Sequence, residues 1–176
     1  MQDYKASEPR VYVGHTQPSL VKTVERGLDH IKWDTIISHD TRVAIKPNYC
    51  WPERLPGVTT SPEMLDAVLG IVSTRTSTIM VVESDGGTFT AEQAFAAHDA
   101  EAICAKYGAR LVNLSRHPRE RRHVHVAGKE IEIEFSSLLL DEVDVLITLP
   151  VLKTHVVTTV SPVSYTHLTL PTILRV

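Results

Sequence analysis

Thr78-Ile79-Met80-Val81-Val82-Glu83-Ser84-Asp85-Gly86-Gly87-Thr88-Phe89-Thr90 is the stretch that decides the fold. Its first half is a near-continuous apolar run, the pattern of a strand with both faces covered. Two glycines then turn the chain, and Thr90 and Gln93 stand in capping-box spacing at a helix start. Ala96, Ala100, Ile103 and Tyr107 form one stripe of that helix. Gly108 ends it, because glycine tolerates the left-handed cap. Ala109-Arg110-Leu111-Val112-Asn113 is the next strand.

The same alternation extends upstream. Ser61 caps a helix with Pro62 at its first position, Glu63 at the positive end of the dipole, and Leu65, Val68, Leu69 and Val72 on its buried face. Before it, Arg42-Val43-Ala44-Ile45-Lys46 is a strand stopped by Pro47, followed by a loop punctuated by Pro52, Pro56 and Gly57. Val21, Val24, Leu28 and Ile31 mark a helix beginning near Pro18-Ser19, and Val11-Tyr12-Val13 reads as a short first strand. Downstream, His123-Val124-His125-Val126, Ala127-Gly128 and Ile131-Glu132-Ile133-Glu134-Phe135 alternate as a hairpin. A short helix around residues 138–142 leads to the last buried strand, Asp144-Val145-Leu146-Ile147-Thr148-Leu149. Strands alternating with helices imply parallel pairing. The expected class is α/β, a mostly parallel sheet with helices on both faces and a small β-hairpin insertion.

Composition excludes several classes. Of 176 residues, 43% are apolar and 22% charged, which is globular rather than disordered. No apolar run is long enough to span a bilayer, and Met1-Gln2-Asp3-Tyr4-Lys5 has no secretory pattern, so a cytoplasmic domain is expected. Arg116, Arg119, Arg121 and Arg122 stand against Glu120 in one basic segment, yet the net charge is -3 and the body is acidic. Nucleic acid is therefore not an expected partner; the segment reads as a solvated hairpin edge, with phosphate binding a minor alternative. Two cysteines, Cys50 and Cys104, make neither a disulfide framework nor a four-cysteine metal site.

Residues 162–176 break the pattern. Val163-Ser164-Tyr165-Thr166-His167-Leu168-Thr169-Leu170-Pro171-Thr172 resembles conceptual read-through of a sequencing adapter. The expectation is a domain fragment over residues 1–161, truncated at its C-terminus, with a non-native tail over residues 162–176.

Three polar segments follow three core strands: Lys46-Pro47-Asn48, Ser84-Asp85-Gly86-Gly87-Thr88 and Pro150-Val151-Leu152-Lys153-Thr154-His155. Parallel strands bring such segments to one sheet edge, where ligands bind. Lys46, Asn48, Asp85 and Lys153 are expected together there, with His155 at the rim and the amides of Gly86 and Gly87 on the floor. Lys46 and Lys153 suit an anionic substrate, or base or nucleophile chemistry, although each stem can equally cover the sheet end with its ammonium in water. His155 suits proton transfer or metal ligation, or only a hydrogen bond. Asp85, Gly86, Gly87 and Thr88, with Asn48, suit cofactor or anion binding, or merely a tight turn before a capped helix. His123 and His125 share a strand face, but the neighbouring arginines disfavour a cation, and no metal site is assigned. Cys50 suits a reactive thiol and Cys104 a core position.

These blocks resemble the domain-of-unknown-function 362 family of bacteria and archaea. The likeness rests on Val43-Ala44-Ile45-Lys46-Pro47-Asn48, Pro56-Gly57-Val58-Thr59-Thr60-Ser61-Pro62-Glu63, Val81-Val82-Glu83-Ser84-Asp85-Gly86, and Asp144-Val145-Leu146-Ile147-Thr148-Leu149-Pro150-Val151-Leu152-Lys153-Thr154-His155. The family's Gly-Asp-Ser-Pro turn stands here as Glu-Ser-Asp-Gly. Some members carry ferredoxin-like iron–sulfur modules, so a redox or iron–sulfur link is implied by the family context alone; the residues specify no cofactor. The resulting expectation is an enzyme-like domain for a small anionic molecule. The alternatives are a non-catalytic binding or scaffold module, or an inactive fragment. The sequence specifies neither reaction nor oligomeric state.

Overall fold

The computed structural model describes residues 11–126, 128–155, 159–160 and 173–175. Helix α1 (Leu20–His30) starts where the Ser19 hydroxyl accepts from the Lys22 amide; it turns Val24 and Leu28 to the core, and its C-cap Ile31 packs there too. Strand β1 (Val43–Pro47) is followed by the 48–60 loop and helix α2 (Pro62–Val72), capped by Ser61. Strand β2 (Ile79–Glu83) leads to helices α3 (Ala91–Ala97) and α4 (Ala100–Tyr107), then strand β3 (Arg110–Asn113). The hairpin β4 (Arg119–Val126) and β5 (Lys129–Ser136) precedes the short α5 (Ser137–Asp141) and strand β6 (Val145–Leu149). Strands β7 (Thr154–His155), β8 (Thr159–Val160) and β9 (Ile173–Arg175) complete the described elements.

The main sheet has the order β3-β2-β1-β6-β9. The first four strands are parallel, and β9 is antiparallel to β6. Alternation divides the buried side chains between two layers. Val43, Ile45, Ile79, Val81, Val145 and Ile147 pack against α1, α2, α3 and α4. Ala44, Met80, Val82, Val112 and Leu146 face the opposite way, onto Leu114, Val143 and the α5 residues Leu138 and Leu139. Helices thus cover both faces, unequally. Leu65, Leu69 and Val72 of α2 are wholly buried, each contributing roughly 1.5–3 kcal/mol of transfer free energy. Among the described residues no helix is long and apolar enough to cross a membrane.

Two sequence expectations need correction. Val11-Tyr12-Val13 is not a strand: Val11 is 76% and Val13 89% exposed, while the Tyr12 ring lies 6.0 Å from that of His30 on α1. With no neighbour strand among the described residues, the three-residue run is held by its aromatic ring instead. The helix expected from Thr90 to Tyr107 is broken in two at His98 and Asp99, where Asp99 is left-handed with φ 53°. The break lets Ala91, Ala94 and Phe95 before it, and Ala100, Ile103 and Cys104 after it, all reach the core. The capping box at Thr90 and Gln93 and the left-handed Gly108 stand as read.

In the hairpin, Gly128 takes φ 76° at the turn and the arginines face carboxylates: Arg121 lies 3.5 Å from Glu132, and Arg122 2.7 Å from Glu120. The segment is a ladder of opposite charges, each exposed pair contributing little to stability. The tail expected over residues 162–176 lies outside the described residues except for β9, whose Ile173 pairs with Ile147.

Candidate functional site

Because β1, β2, β3 and β6 are parallel, their carboxyl ends share one edge, and the register places Lys46 beside Thr148 and Glu83 beside Asn113. Lys46 and Glu83 join there. Lys46 Nζ lies 2.5 Å from Glu83 Oε1, with the side chains 21% and 7% exposed. Glu83 also accepts from the backbone: Ser84 N donates to Oε1 at 2.9 Å and Tyr49 N to Oε2 at 3.2 Å. A nearly buried carboxylate is tolerable with three donors around it. Glu83 reads in the sequence only as the end of a strand. The available signal was its position, a carboxylate closing an apolar strand at the edge where Lys46 closes another.

Asn48 organises the adjoining loop. Its amide donates to Thr60 Oγ1 at 2.7 Å, its carbonyl accepts from Thr60 N at 3.1 Å, and its Nδ2 donates to Val58 O at 2.9 Å. Thr60 Oγ1 in turn donates to Leu149 O at 2.7 Å, fastening the loop to the end of β6. The chain leaving β6 returns Lys153 to the same carbonyl: Lys153 Nζ donates to Val58 O at 2.8 Å and lies 2.6 Å from Cys50 Sγ. Among the described residues Lys153 has no carboxylate within ion-pair distance. Lys46, Asn48 and Lys153 are therefore gathered around one loop. His155 lies two residues on, in β7, where it pairs with Thr159 of β8.

The glycine turn forms a second, neighbouring cluster. Asp85 Oδ1 accepts from Ala91 N at 2.9 Å and from Asn113 Nδ2 at 2.8 Å, so its carboxylate caps α3. Asn113 Nδ2 also reaches Glu92, whose carboxyl is held below its usual range first by that bond. The Gly86 amide donates to Phe89 O at 2.9 Å, and a Cβ at Gly86 would run into the Phe89 ring. Asp85 and Gly86 thus serve the turn and the helix start, while Gly87 and Thr88 are exposed. Asp85 turns toward β3 rather than toward the lysines, its amide donating to Ser115 Oγ at 2.9 Å.

The loop is anchored from beneath as well. Tyr49 stacks on His98 with ring centroids 4.1 Å apart, and Arg54 Nε donates to Ala97 O at 2.7 Å while its guanidinium pairs with Asp99. Burial pushes the Tyr49 hydroxyl up and holds the His98 imidazole below its ordinary value. A groove of about 430 Å³ between α1 and α2, lined by Asp29, Trp33, Asp66 and Ile71 among others, shares no residue with this edge.

Two cysteines fall short of the four thiolates of an ordinary iron–sulfur cluster. Cys104 is buried inside α4 and Cys50 exposed on the loop. No group of three or more potential metal ligands occurs among the described residues. A family model described as Domain of unknown function (DUF362) matches residues 43–163, which include every strand end just described. No curated protein and no solved structure matches the chain.

Proposed function

The chain belongs to the DUF362 family, and from that premise we propose that it is a small-anion-binding, enzyme-like cytoplasmic domain using the carboxyl edge of β1, β2 and β6. One observation carries the reading: the Lys153 ammonium rests at that edge on a carbonyl and a thiol, with no carboxylate among the described residues to neutralise it. A cation so held is electrostatically complementary to a ligand carboxylate or phosphate. Lys153 takes the anionic group. Asn48 and Thr60 fix the loop beside it, and the Lys46–Glu83 pair forms the floor, with a proton donor and acceptor in contact. His155 follows at the rim.

Calorimetric titration with inorganic phosphate and with a small dicarboxylate tests this. Binding by the wild type that weakens about tenfold or more in Lys153→Gln, with unchanged melting, is the expected result; about 1.4 kcal/mol corresponds to that factor. Equal affinity in both proteins, or no binding of either probe, overturns it. A second reading, a binding module without turnover, is favoured by the mutual neutralisation of Lys46 and Glu83, which leaves neither as a ready base. Ligand recovered chemically unchanged after prolonged incubation supports the module over the enzyme.

A further inference from the structure

Cys50 and Lys153 are 103 residues apart in sequence, yet Nζ and Sγ approach to 2.6 Å. Both groups lie against one carbonyl, Val58 O, at 2.8 Å from Nζ and 3.7 Å from Sγ. The carbonyl is itself fixed: Val58 N and Thr59 N both donate to Leu55 O at 2.9 Å, and Asn48 Nδ2 donates to Val58 O. Cys50 is exposed and free, open to a dissolved oxidant, whereas Cys104 is buried and its thiol pushed up to about 11 by that burial. Oxidation follows exposure and a cationic neighbour, so the two thiols differ in kind.

We propose that Cys50 and Lys153 form a peroxide-responsive covalent switch, in which the oxidised thiol is captured by the lysine amine as a sulfenamide. In the first step hydrogen peroxide is reduced and sulfur oxidised: the S–O bond forms, the O–O bond breaks, and water leaves with Cys50 as sulfenic acid. In the second, Lys153 Nζ, having given one ammonium proton to solvent, attacks the sulfenyl sulfur. The N–S bond forms, the S–O bond breaks, and hydroxide leaves with an amine proton as water. Two equivalents of an external thiol reverse the link, restoring thiol and amine and leaving the external disulfide. Closure staples the 48–60 loop to the chain beyond β6 and consumes the Lys153 charge. Its effect on anion binding, though not the link itself, rests on the function proposed above.

The test is peptide mapping by tandem mass spectrometry of the full chain before and after treatment with hydrogen peroxide. The expected product is a cross-linked peptide pair joining Cys50 and Lys153, two hydrogens lighter than its parts and released by dithiothreitol, with matching loss of iodoacetamide labelling at Cys50. Cys104→Ala retains the link, which separates it from a Cys50–Cys104 disulfide of equal mass change. Lys153→Met abolishes the link and leaves a sulfenic acid trapped by dimedone. Cys50 recovered as sulfinic acid with its Lys153 peptide unlinked, or dimedone trapping equal in wild type and Lys153→Met, overturns the proposal. Linked protein that binds phosphate as tightly as the reduced form removes the anion-binding reading and leaves the switch standing.

Discussion

Removing both partners of the Lys46–Glu83 pair should cost clearly less than the sum of the two single losses. Glu83 is 7% exposed and Lys46 21%, so each charge depends on the other for much of its compensation. Breaking a buried pair typically costs ~3–5 kcal/mol because the survivor is left uncompensated. Glu83→Gln keeps one oxygen for either the Tyr49 or the Ser84 amide, which bond different oxygens of Glu83, and takes the carboxylate from the Lys46 ammonium; the partial exposure of Lys46 places the cost near the lower bound, about 3 kcal/mol. Lys46→Met strands a carboxylate that still receives those two amides, so about 2 kcal/mol is expected. The double variant has no stranded charge and should cost about 3 kcal/mol, a coupling near 2 kcal/mol. Urea unfolding measures all four proteins, with equal m-values as the check that compactness is unchanged. Additivity within about 0.5 kcal/mol would refute the reasoning, for it would mean that solvent, not the partner, compensates each charge.

Other consequences are smaller and separable. Arg42 binds Asp144 through Nε, Nη2 and its own amide and holds that carboxyl at about 2, below its ordinary 3.8. The depressed value stabilises the fold above about pH 4, and the gain disappears as pH falls through about 2. Screening at a 43% exposed carboxylate reduces it, so Asp144→Asn should cost about 1 kcal/mol near neutrality in a urea titration and little at the acid end. Burial holds His98 below 6.5, so the unfolded chain takes up the proton first and stability falls as pH drops through that value. His98→Phe, which keeps a ring against Tyr49, should flatten the urea midpoint between about pH 7 and about pH 5. Gly86→Ala drives a methyl into the Phe89 ring and should lower stability by about 1–2 kcal/mol, partly restored in combination with Phe89→Leu, as read by thermal melting.

The sheet was legible because its strands are short apolar runs bounded by Pro47, by Gly86 and Gly87, and by Pro150, and because the capping signals at Ser61 and Thr90 are local chemistry. The helix break was not. Its alanine-rich stripe continues through His98 and Asp99, and what bends the chain there is burial of His98 against Tyr49, a contact between residues far apart in sequence. The site divides in the same way. The shared edge for Lys46, Asn48 and Lys153 follows from strand direction, readable from periodicity. The partners, Glu83 for Lys46 and Cys50 and Val58 for Lys153, depend on how the 48–60 loop folds back. No local pattern encodes that path.

Strand β1 lies between β2 and β6 and pairs Val43 with both Ile79 and Val145. The first neighbour emerges soon after it in synthesis; the second follows 102 residues later, roughly 5–20 s at ordinary elongation rates. Throughout that interval a hydrophobic central strand presents an unpaired edge to solvent, the condition that recruits chaperones or invites aggregation. The long-range closure also governs the carboxyl edge of the sheet, since Thr60 has no Leu149 carbonyl to bind and Lys153 no loop to meet until β6 docks. Formation of the Lys153–Val58 contact in a nascent or refolding chain would then report the final docking event rather than collapse.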